Sequence, residues 1–144
     1  MIMATKYKKI DYNDEDLEQY THSDLKKICD YWLRHYLLNQ NKSDYYLCPL
    51  KGRRYRADKI HVAHFIDRQC MNTRYDLDNC NLISSDSNTW DAQVPKEGYK
   101  SLHHYDYEMW LGEEKVKKLL DMSQVIRIFA KEDYIELIEK YRNG

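Results

Sequence analysis

The sequence lacks the features that mark a membrane or secreted protein. No apolar run approaches the roughly 20 residues that a membrane-spanning helix needs. Residues 1–20 do not contain the apolar stretch of a signal peptide. Mean hydropathy is −0.89, and 33% of the 144 residues are charged. We therefore expect an intracellular, cytoplasmic protein without a membrane partner, built as one domain around one modest core.

Paired cysteines are also absent. The four cysteines are Cys29, Cys48, Cys70 and Cys80, and none forms a Cys-x-x-Cys pair. Scattered cysteines in a cytosolic chain favour free thiols over a disulfide framework. A complete zinc knuckle, which needs a full set of ligands around one ion, is not encoded.

A strong net charge is missing as well, although the charge is unevenly distributed. The formal net charge of −1 taken alone argues against a nucleic-acid partner. However, residues 51–75 carry seven Lys or Arg against Asp58 and Asp67, whereas residues 1–24 carry three Lys against six acidic residues. The basic excess is either a phosphate-facing patch or a solvated loop whose charges have no function.

Helical periodicity predicts a first helix that begins near Ser23, as its N-cap, and ends at residues 39–41. Its apolar face comprises Leu25, Ile28, Cys29, Trp32, Tyr36 and Leu37. Further helices are expected at residues 84–92, on both sides of Gly112, and over residues 131–144, where Asn143 and Gly144 close the chain. Ser84 or Ser85 is the expected cap of the second helix.

Residues 44–66 have a β-type pattern. A turn at residues 49–52 is followed by the β-branched segment at residues 60–62, which ends near Phe65. We expect a short two-stranded ribbon, covered by helices because two strands alone are marginally stable in water. Residues 67–83 are expected to form a long polar connection.

The segment at residues 61–88 carries the candidate chemistry. A strand that ends in histidine is followed by a polar loop holding an asparagine and then by a helix with another asparagine. Phosphodiester hydrolysis needs a base to deprotonate water and a divalent metal to neutralise charge on the phosphate and leaving oxygen. A strand histidine can serve as the base, a helix residue can hold the metal, and a loop asparagine can fix the loop's shape.

This order resembles the HNH (ββα-metal) endonuclease superfamily, and most closely the phage NinG (Rap) recombination endonuclease family. Five pieces of the family pattern have counterparts here in the same order: residues 48–52 for the CxxCG turn, 63–65 for G-H-[FY], 74–79 for R-[FYW]-x-x-x-N, 83–88 for QCxxCN, and 105–119 for the tyrosine-bearing and G-x-E-x-V-x-x-L helices. The resemblance extends over residues 25–121.

The resemblance implies an α+β fold with a small ββα-metal (HNH, or His-Me finger) core embedded in several α-helices. Residues 23–122 would form the nuclease domain, between a polar acidic arm at residues 1–22 and a C-terminal helix at residues 123–144 packed on the domain. The implied function is metal-dependent hydrolysis of DNA in a phage-encoded, recombination-related protein of the host cytoplasm. Branched DNA is among the implied substrates, and a homodimer would suit two-fold-symmetric junctions.

The resemblance also assigns roles to individual residues. His64 becomes the general base, Asn79 the loop-fixing residue of the catalytic centre, and Asn88 a ligand of Mg²⁺ or Mn²⁺. His61 is the nearest candidate for the second ligand, although an ideal strand would direct it to the face opposite His64 unless a bulge intervenes. Asp86 and His64 itself are alternative ligands. Without the resemblance, a strand histidine is more often structural than catalytic.

Basic residues near this segment are expected to contact DNA phosphates, because the planar guanidinium group matches phosphate geometry. The four candidates are Arg53, Arg54, Arg68 and Arg74. The alternative for the last two is surface pairing with Asp67 and Asp76. His103 and His104 correspond to an insertion relative to the family, and we expect them at the surface.

The chain departs from the family at its zinc ligands. The four positions are occupied by Cys48, Lys51, Ser84 and Ser87. One thiolate cannot hold zinc, so we expect no structural zinc. Hydrogen bonds from Ser84 and Ser87 are expected to fasten the turn at residues 49–52 to the helix start.

The lost zinc ligands also support an alternative function. The chain would then be a catalytically inactive HNH-like scaffold, acting as a DNA-binding module or as a phage-encoded inhibitor that binds a host protein. The acidic residues 1–22 suit a protein partner better than DNA.

Overall fold

The computed structural model describes residues 9–41, 43–89 and 102–144, apart from the side chains of residues 88, 89, 102 and 103. Its elements are α1 (His22–Asn39), β1 (Tyr45–Cys48), β2 (Arg53–Arg56), β3 (Ile60–His64), α2 (Met71–Arg74), β4 (Cys80–Ser84), α3 (Ser85–Thr89), α4 (Leu102–Leu111), α5 (Glu113–Ser123) and α6 (Lys131–Asn143). Single turns of 3₁₀ helix lie at Leu17–Gln19 and Ala57–Lys59. The mixture of helices and strands confirms the α+β class. Within the described ranges, no helix is both long and apolar enough to cross a bilayer.

The first of two compact units joins the N-terminal residues up to His35 with Phe129–Gly144. Three hydrogen bonds hold it together: the indole of Trp32 donates to the Tyr12 carbonyl at 2.7 Å, Arg142 to the Asp14 carbonyl at 3.0 Å, and Lys131 to the Glu18 carbonyl at 3.1 Å. Leu17 and Tyr20 are buried. The expected division at residues 22 and 122 therefore differs from the structure, because α6 packs with the N-terminal segment and residues 9–22 are not a free arm.

The start of α1 also differs from the expectation. The Thr21 side chain accepts a hydrogen bond from the Asp24 amide at 3.1 Å, and the Asp24 carboxylate accepts one from the Thr21 amide at 3.4 Å. This reciprocal pair satisfies two amides that a helix start leaves unpaired. The cap is therefore Thr21 and not Ser23, while the helix ends at Asn39 as expected.

The second unit, Tyr36–Ile128, contains two antiparallel hairpins. β1 pairs with β2, and β3 pairs with β4. The expectation that residues 67–83 form a polar connection is wrong, because they include both α2 and β4. β4 has the mixed sequence CNLIS, which becomes a strand by pairing with the β-branched strand β3 from a distant part of the chain.

The core of the second unit is formed by apolar side chains from both hairpins and from α4 and α5. Its buried members are Cys48, Ile60, Ala63, Phe65, Ile83, Tyr107, Leu111, Val116 and Leu119. Gly112 separates α4 from α5 as expected, with a positive φ of 88° that favours glycine. The hairpin of β3 and β4 is thus held against a helical layer.

Candidate functional site

His64 is the last residue of β3 and lies opposite Cys80 in the β3–β4 register. The pairing runs without interruption from Ile60 opposite Ser84 to this end of the hairpin. Because successive strand residues point to opposite faces, His61 lies on the face away from His64. The bulge that would bring His61 round is not present in this ladder, so the structure does not bring the two histidines together.

Asn79 closes the loop that follows His64. Its side chain is fully buried; Oδ1 accepts a hydrogen bond from the Ile66 amide at 2.7 Å, and Nδ2 donates to the Ile66 carbonyl at 3.1 Å. The Asn79 carbonyl accepts from the Phe65 amide at 3.0 Å. These bonds fix the chain directly after His64, which is the geometry expected for a loop-fixing asparagine.

Tyr107 of α4 also braces this end of the hairpin. Its hydroxyl lies 3.2 Å from the Ala63 carbonyl and 3.3 Å from the Asn79 carbonyl, and it accepts a hydrogen bond from Asn81 at 2.7 Å. Burial raises the pKa of this hydroxyl, so it remains a donor. The family pattern included a tyrosine on this helix, but the sequence did not indicate which backbone groups it would bind.

His104 is a second imidazole near this end of the hairpin. Its ring stacks on the buried ring of Phe65, with centroids 4.7 Å apart and planes 17° apart. The ring is only partly exposed, which differs from the surface position expected for it. The sequence carried no signal for this contact, because it joins α4 to a residue 39 positions earlier in the chain.

α3 begins directly after β4, whereas the short helix α2 lies between β3 and β4. The Ser84 hydroxyl accepts a hydrogen bond from the Ser87 amide at 3.4 Å and caps this short helix. The alternative ligand Asp86 is exposed in its first turn. Asn88 belongs to α3, but its side chain lies outside the described part of the structure.

Cys48 occupies the remaining ligand position of the family's zinc knuckle. Burial raises the pKa of its thiol, but hydrogen bonds from the backbone and hydroxyl of Ser84 and from the amides of Lys51 and Leu50 outweigh this and lower the pKa overall. Ser84 therefore fastens the turn, as expected. The hydroxyl of Ser87 does not: it is buried and has no hydrogen-bond partner among the described residues.

This difference predicts opposite effects for two neighbouring serines. Ser84→Ala removes a helix cap and a hydrogen bond to Cys48, so we expect it to lower the free energy of unfolding by about 1–3 kcal/mol. Ser87→Ala removes a buried hydroxyl that makes no bond, so we expect it to raise stability, by about 1 kcal/mol. Urea unfolding followed by circular dichroism measures both. Equal losses in the two variants would contradict this account of the knuckle.

The loop before β4 is clamped to α5 by charge. The Lys118 ammonium lies 2.8 Å from Asp78 and 3.3 Å from Asp76, and Lys115 lies 3.7 Å from Asp78. The hydrogen bond from Lys118 lowers the pKa of Asp78. The same bond raises the pKa of Lys118. The clamp therefore positions the segment that leads into Asn79.

The clamp predicts a pH-dependent contribution to stability. Because the pKa of Asp78 is lowered on folding, its contribution is present above the ordinary carboxyl value of about 3.9 and disappears as the pH falls through the lower folded value. Because the pKa of Lys118 is raised, the contribution is also lost at strongly alkaline pH. We expect Lys118→Ala to cost no more than about 1 kcal/mol at neutral pH, since the pair is partly exposed, and less below pH 4. Lys117→Ala is the matched control, and a loss that does not change with pH would argue against the clamp.

The four candidate arginines differ in what they contact. Arg53, Arg54 and Arg68 are exposed. Arg74 instead donates to the Arg68 carbonyl at 2.9 Å and to the Tyr75 hydroxyl at 3.0 Å. Its guanidinium therefore shapes the loop. The suggested pairing of Arg74 with Asp76 is not what the structure shows, because Asp76 pairs with Lys118.

The His, Cys, Asp and Glu side chains of the described residues are dispersed. Among these residues, no group of three or more His, Cys, Asp and Glu side chains could hold a metal ion. Asn88 is not one of these residue types, so this finding does not bear on Asn88 as a ligand. Comparison of the chain with protein-family models, curated proteins and solved structures found no match.

Proposed function

We propose that this protein is a metal-dependent DNA endonuclease of the HNH type, with His64 as its general base. The observation that carries the proposal is the placement of His64 at the end of β3, directly before a loop that Asn79 fixes through two hydrogen bonds to Ile66. The proposal is also supported by α3, which follows the second strand of this pair directly.

Each residue at this site has its own role in the proposed reaction. His64 takes the proton of the attacking water. Asn79 and Tyr107 hold the strand end and the loop, so that the imidazole has one position relative to the bound phosphate. The exposed arginines Arg53, Arg54 and Arg68 hold the DNA backbone by charge.

The donor set fits an ion that takes few ligands from protein. The proposed ligand Asn88 would supply an amide oxygen, while Asp76 and Asp78 are already paired with lysines. Mg²⁺ and Mn²⁺ suit such a site, because Mg²⁺ in particular completes its shell with substrate phosphate and water. When bound, the ion would stabilise negative charge on the phosphate and leaving oxygen.

Cleavage of supercoiled plasmid and of a synthetic four-way junction tests the proposal. The full-length protein is incubated with each DNA in Mg²⁺, in Mn²⁺ and in EDTA. We expect nicked or linear plasmid only with metal, and preference for the junction would support a recombination role. No cleavage of either DNA by folded protein in either metal would overturn the proposal.

A second candidate function is favoured by a surface groove between α4 and α5. Its apolar lining includes Tyr105, Met109, Val116 and Leu120, and its rim is mainly acidic. Met109 is 82% exposed, and exposed apolar patches mark protein-binding sites. The chain would then be a catalytically inactive scaffold that binds a host protein.

Two substitutions distinguish the endonuclease from the inhibitory scaffold. If the protein alters growth of a bacterial host as an inhibitory scaffold, Met109→Asp removes the effect and His64→Ala retains it. The reverse result favours the endonuclease.

A further inference from the structure

The hairpin of β1 and β2 presents one face to solvent and one to the core. Directly opposed residues share a face, and the register pairs Tyr45 with Arg56 and Leu47 with Arg54. Tyr45 and Leu47 are 50% and 52% exposed, and both arginines are exposed. We call these four residues the ribbon face.

The other side of the hairpin packs on the core of the second unit. Cys48 is buried in the core of the second unit, and Tyr46 and Tyr55 pack against that core. Cys48 is also bonded to Ser84 of β4. The turn between the strands contains Gly52 at a φ of 66°, and its amide donates to the Cys48 carbonyl at 2.9 Å. The exposed side chains of the ribbon face therefore project from strands that pack on the core.

The charge of this hairpin is strongly positive although the chain is not. Residues 43–59 contain five basic side chains and two acidic ones, a net charge of +3. Arg53, Arg54 and Arg56 make no ion pair with any residue that the structure describes. Such cations without acidic partners are complementary to a phosphate backbone.

We infer that the ribbon face binds duplex DNA by entering its major groove. The major groove is about 12 Å wide and admits a two-stranded β-ribbon. Within the groove, arginine can donate to the two acceptors of guanine and an apolar side chain can contact the thymine methyl group. The combination of Arg54, Arg56 and Leu47 on one ribbon face suits both contacts.

This inference rests on the proposed function, which identifies DNA as the partner. It deepens that function by naming duplex DNA as the bound form. The hairpin adjoins the Ser84 end of β4, since Cys48 bonds Ser84, whereas His64 lies at the other end of the β3–β4 hairpin. Four residue steps of strand separate these ends, or about 13 Å. The two ends of the β3–β4 pair therefore lie within the length of a short duplex.

Fluorescence anisotropy in EDTA tests the inference without any cleavage. The full-length protein is titrated into a labelled 30-base-pair duplex, the same single strand, and a double-stranded RNA of equal length. We expect the duplex DNA to bind most tightly, because the major groove of A-form RNA is too deep and narrow for side chains. Tighter binding of single-stranded DNA or of RNA would overturn the inference.

Two double variants with the same loss of charge locate the contact. Arg54→Ala/Arg56→Ala removes two cations from the ribbon face, and Lys27→Ala/Lys117→Ala removes two exposed cations elsewhere. We expect the ribbon-face variant to raise Kd by roughly tenfold or more and to change the salt dependence of Kd. We expect the Lys27→Ala/Lys117→Ala variant to change Kd by less than about twofold. Thermal unfolding by circular dichroism checks that both variants fold. Equal loss of affinity in the two variants would overturn the inference.

Groove-specific competitors test the mode of binding. Methyl green occupies the major groove and netropsin the minor groove, so we expect methyl green to displace the protein and netropsin to leave it bound. Displacement by netropsin alone would overturn the major-groove assignment.

The outcomes for the ribbon face and for the nuclease are separable. If duplex binding depends on the ribbon face but no DNA is cleaved, the ribbon inference is supported and the proposed function is contradicted. If the protein cleaves plasmid but its DNA binding is unaffected by Arg54→Ala/Arg56→Ala, the proposed function is supported and the ribbon inference is contradicted.

Discussion

His64→Ala is expected to lower the rate of plasmid cleavage by roughly 10²- to 10⁴-fold, the range that a positioned general base contributes. His64 ends β3, and the following loop is fixed by Asn79. Alanine fits this strand end and removes only the imidazole, so binding of DNA in EDTA should be nearly unchanged. Initial rates of plasmid nicking at saturating Mg²⁺ or Mn²⁺ measure the effect.

The same strand provides a matched control. His61→Ala changes the same residue type three positions earlier, on the opposite face of the unbroken β3–β4 ladder. We expect it to retain most of the cleavage activity. Equal loss in both variants would indicate that the histidines act through folding or together at one metal, and would remove His64 from the role of sole base.

Asn79→Ala is expected to lower the free energy of unfolding by about 3 kcal/mol or more. The change leaves both the amide and the carbonyl of Ile66 without the bonds that Asn79 makes to them. Each group at this partly buried position that stays unsatisfied costs about 1–3 kcal/mol. For a chain of this size the loss lowers Tm by on the order of 10 °C. Urea unfolding and calorimetry both report it.

Two further variants show whether the hydrogen bonds are responsible. Asn13→Ala changes an exposed asparagine and should alter stability by less than about 0.5 kcal/mol. Asn79→Asp preserves the side-chain shape and an acceptor for the Ile66 amide, but replaces the donor to the Ile66 carbonyl by a charge in a buried site. It should therefore also be destabilising. Wild-type stability for Asn79→Asp would show that shape, and not hydrogen bonding, fixes the loop.

Some residues of the candidate site could be predicted from the sequence, whereas the roles of others depend on contacts between distant residues. Asn79 and His64 were identifiable because their order along the chain matches a known pattern, and Ser84 was identifiable as a helix cap. The roles of Tyr107 and Arg74 were not, since each depends on which backbone carbonyl lies nearby: Ala63 for Tyr107 and Arg68 for Arg74. Residue type alone does not specify a hydrogen-bond partner distant in the sequence.

The sequence by itself determined the features whose causes are local. The periodicity of α1, α5 and α6, the break at Gly112 and the turn at residues 49–52 all depend on interactions within a few residues. These elements form where they were expected, except that α1 begins at His22 with Thr21 as its cap. The apolar face of each helix follows from residue spacing, and the break between α4 and α5 follows from a glycine at a positive φ.

Only the tertiary structure decided the features that depend on distant partners. β4 is a strand because β3 pairs with it, and strand formation depends on cross-strand neighbours more than on intrinsic preference. Residues 14–18 are held by hydrogen bonds from Arg142 and Lys131 of α6, at the other end of the chain. The ribbon face exists because the core covers one side of β1 and β2 and leaves the other in water. In each case the stabilising free energy comes from contacts that no local window of the sequence contains.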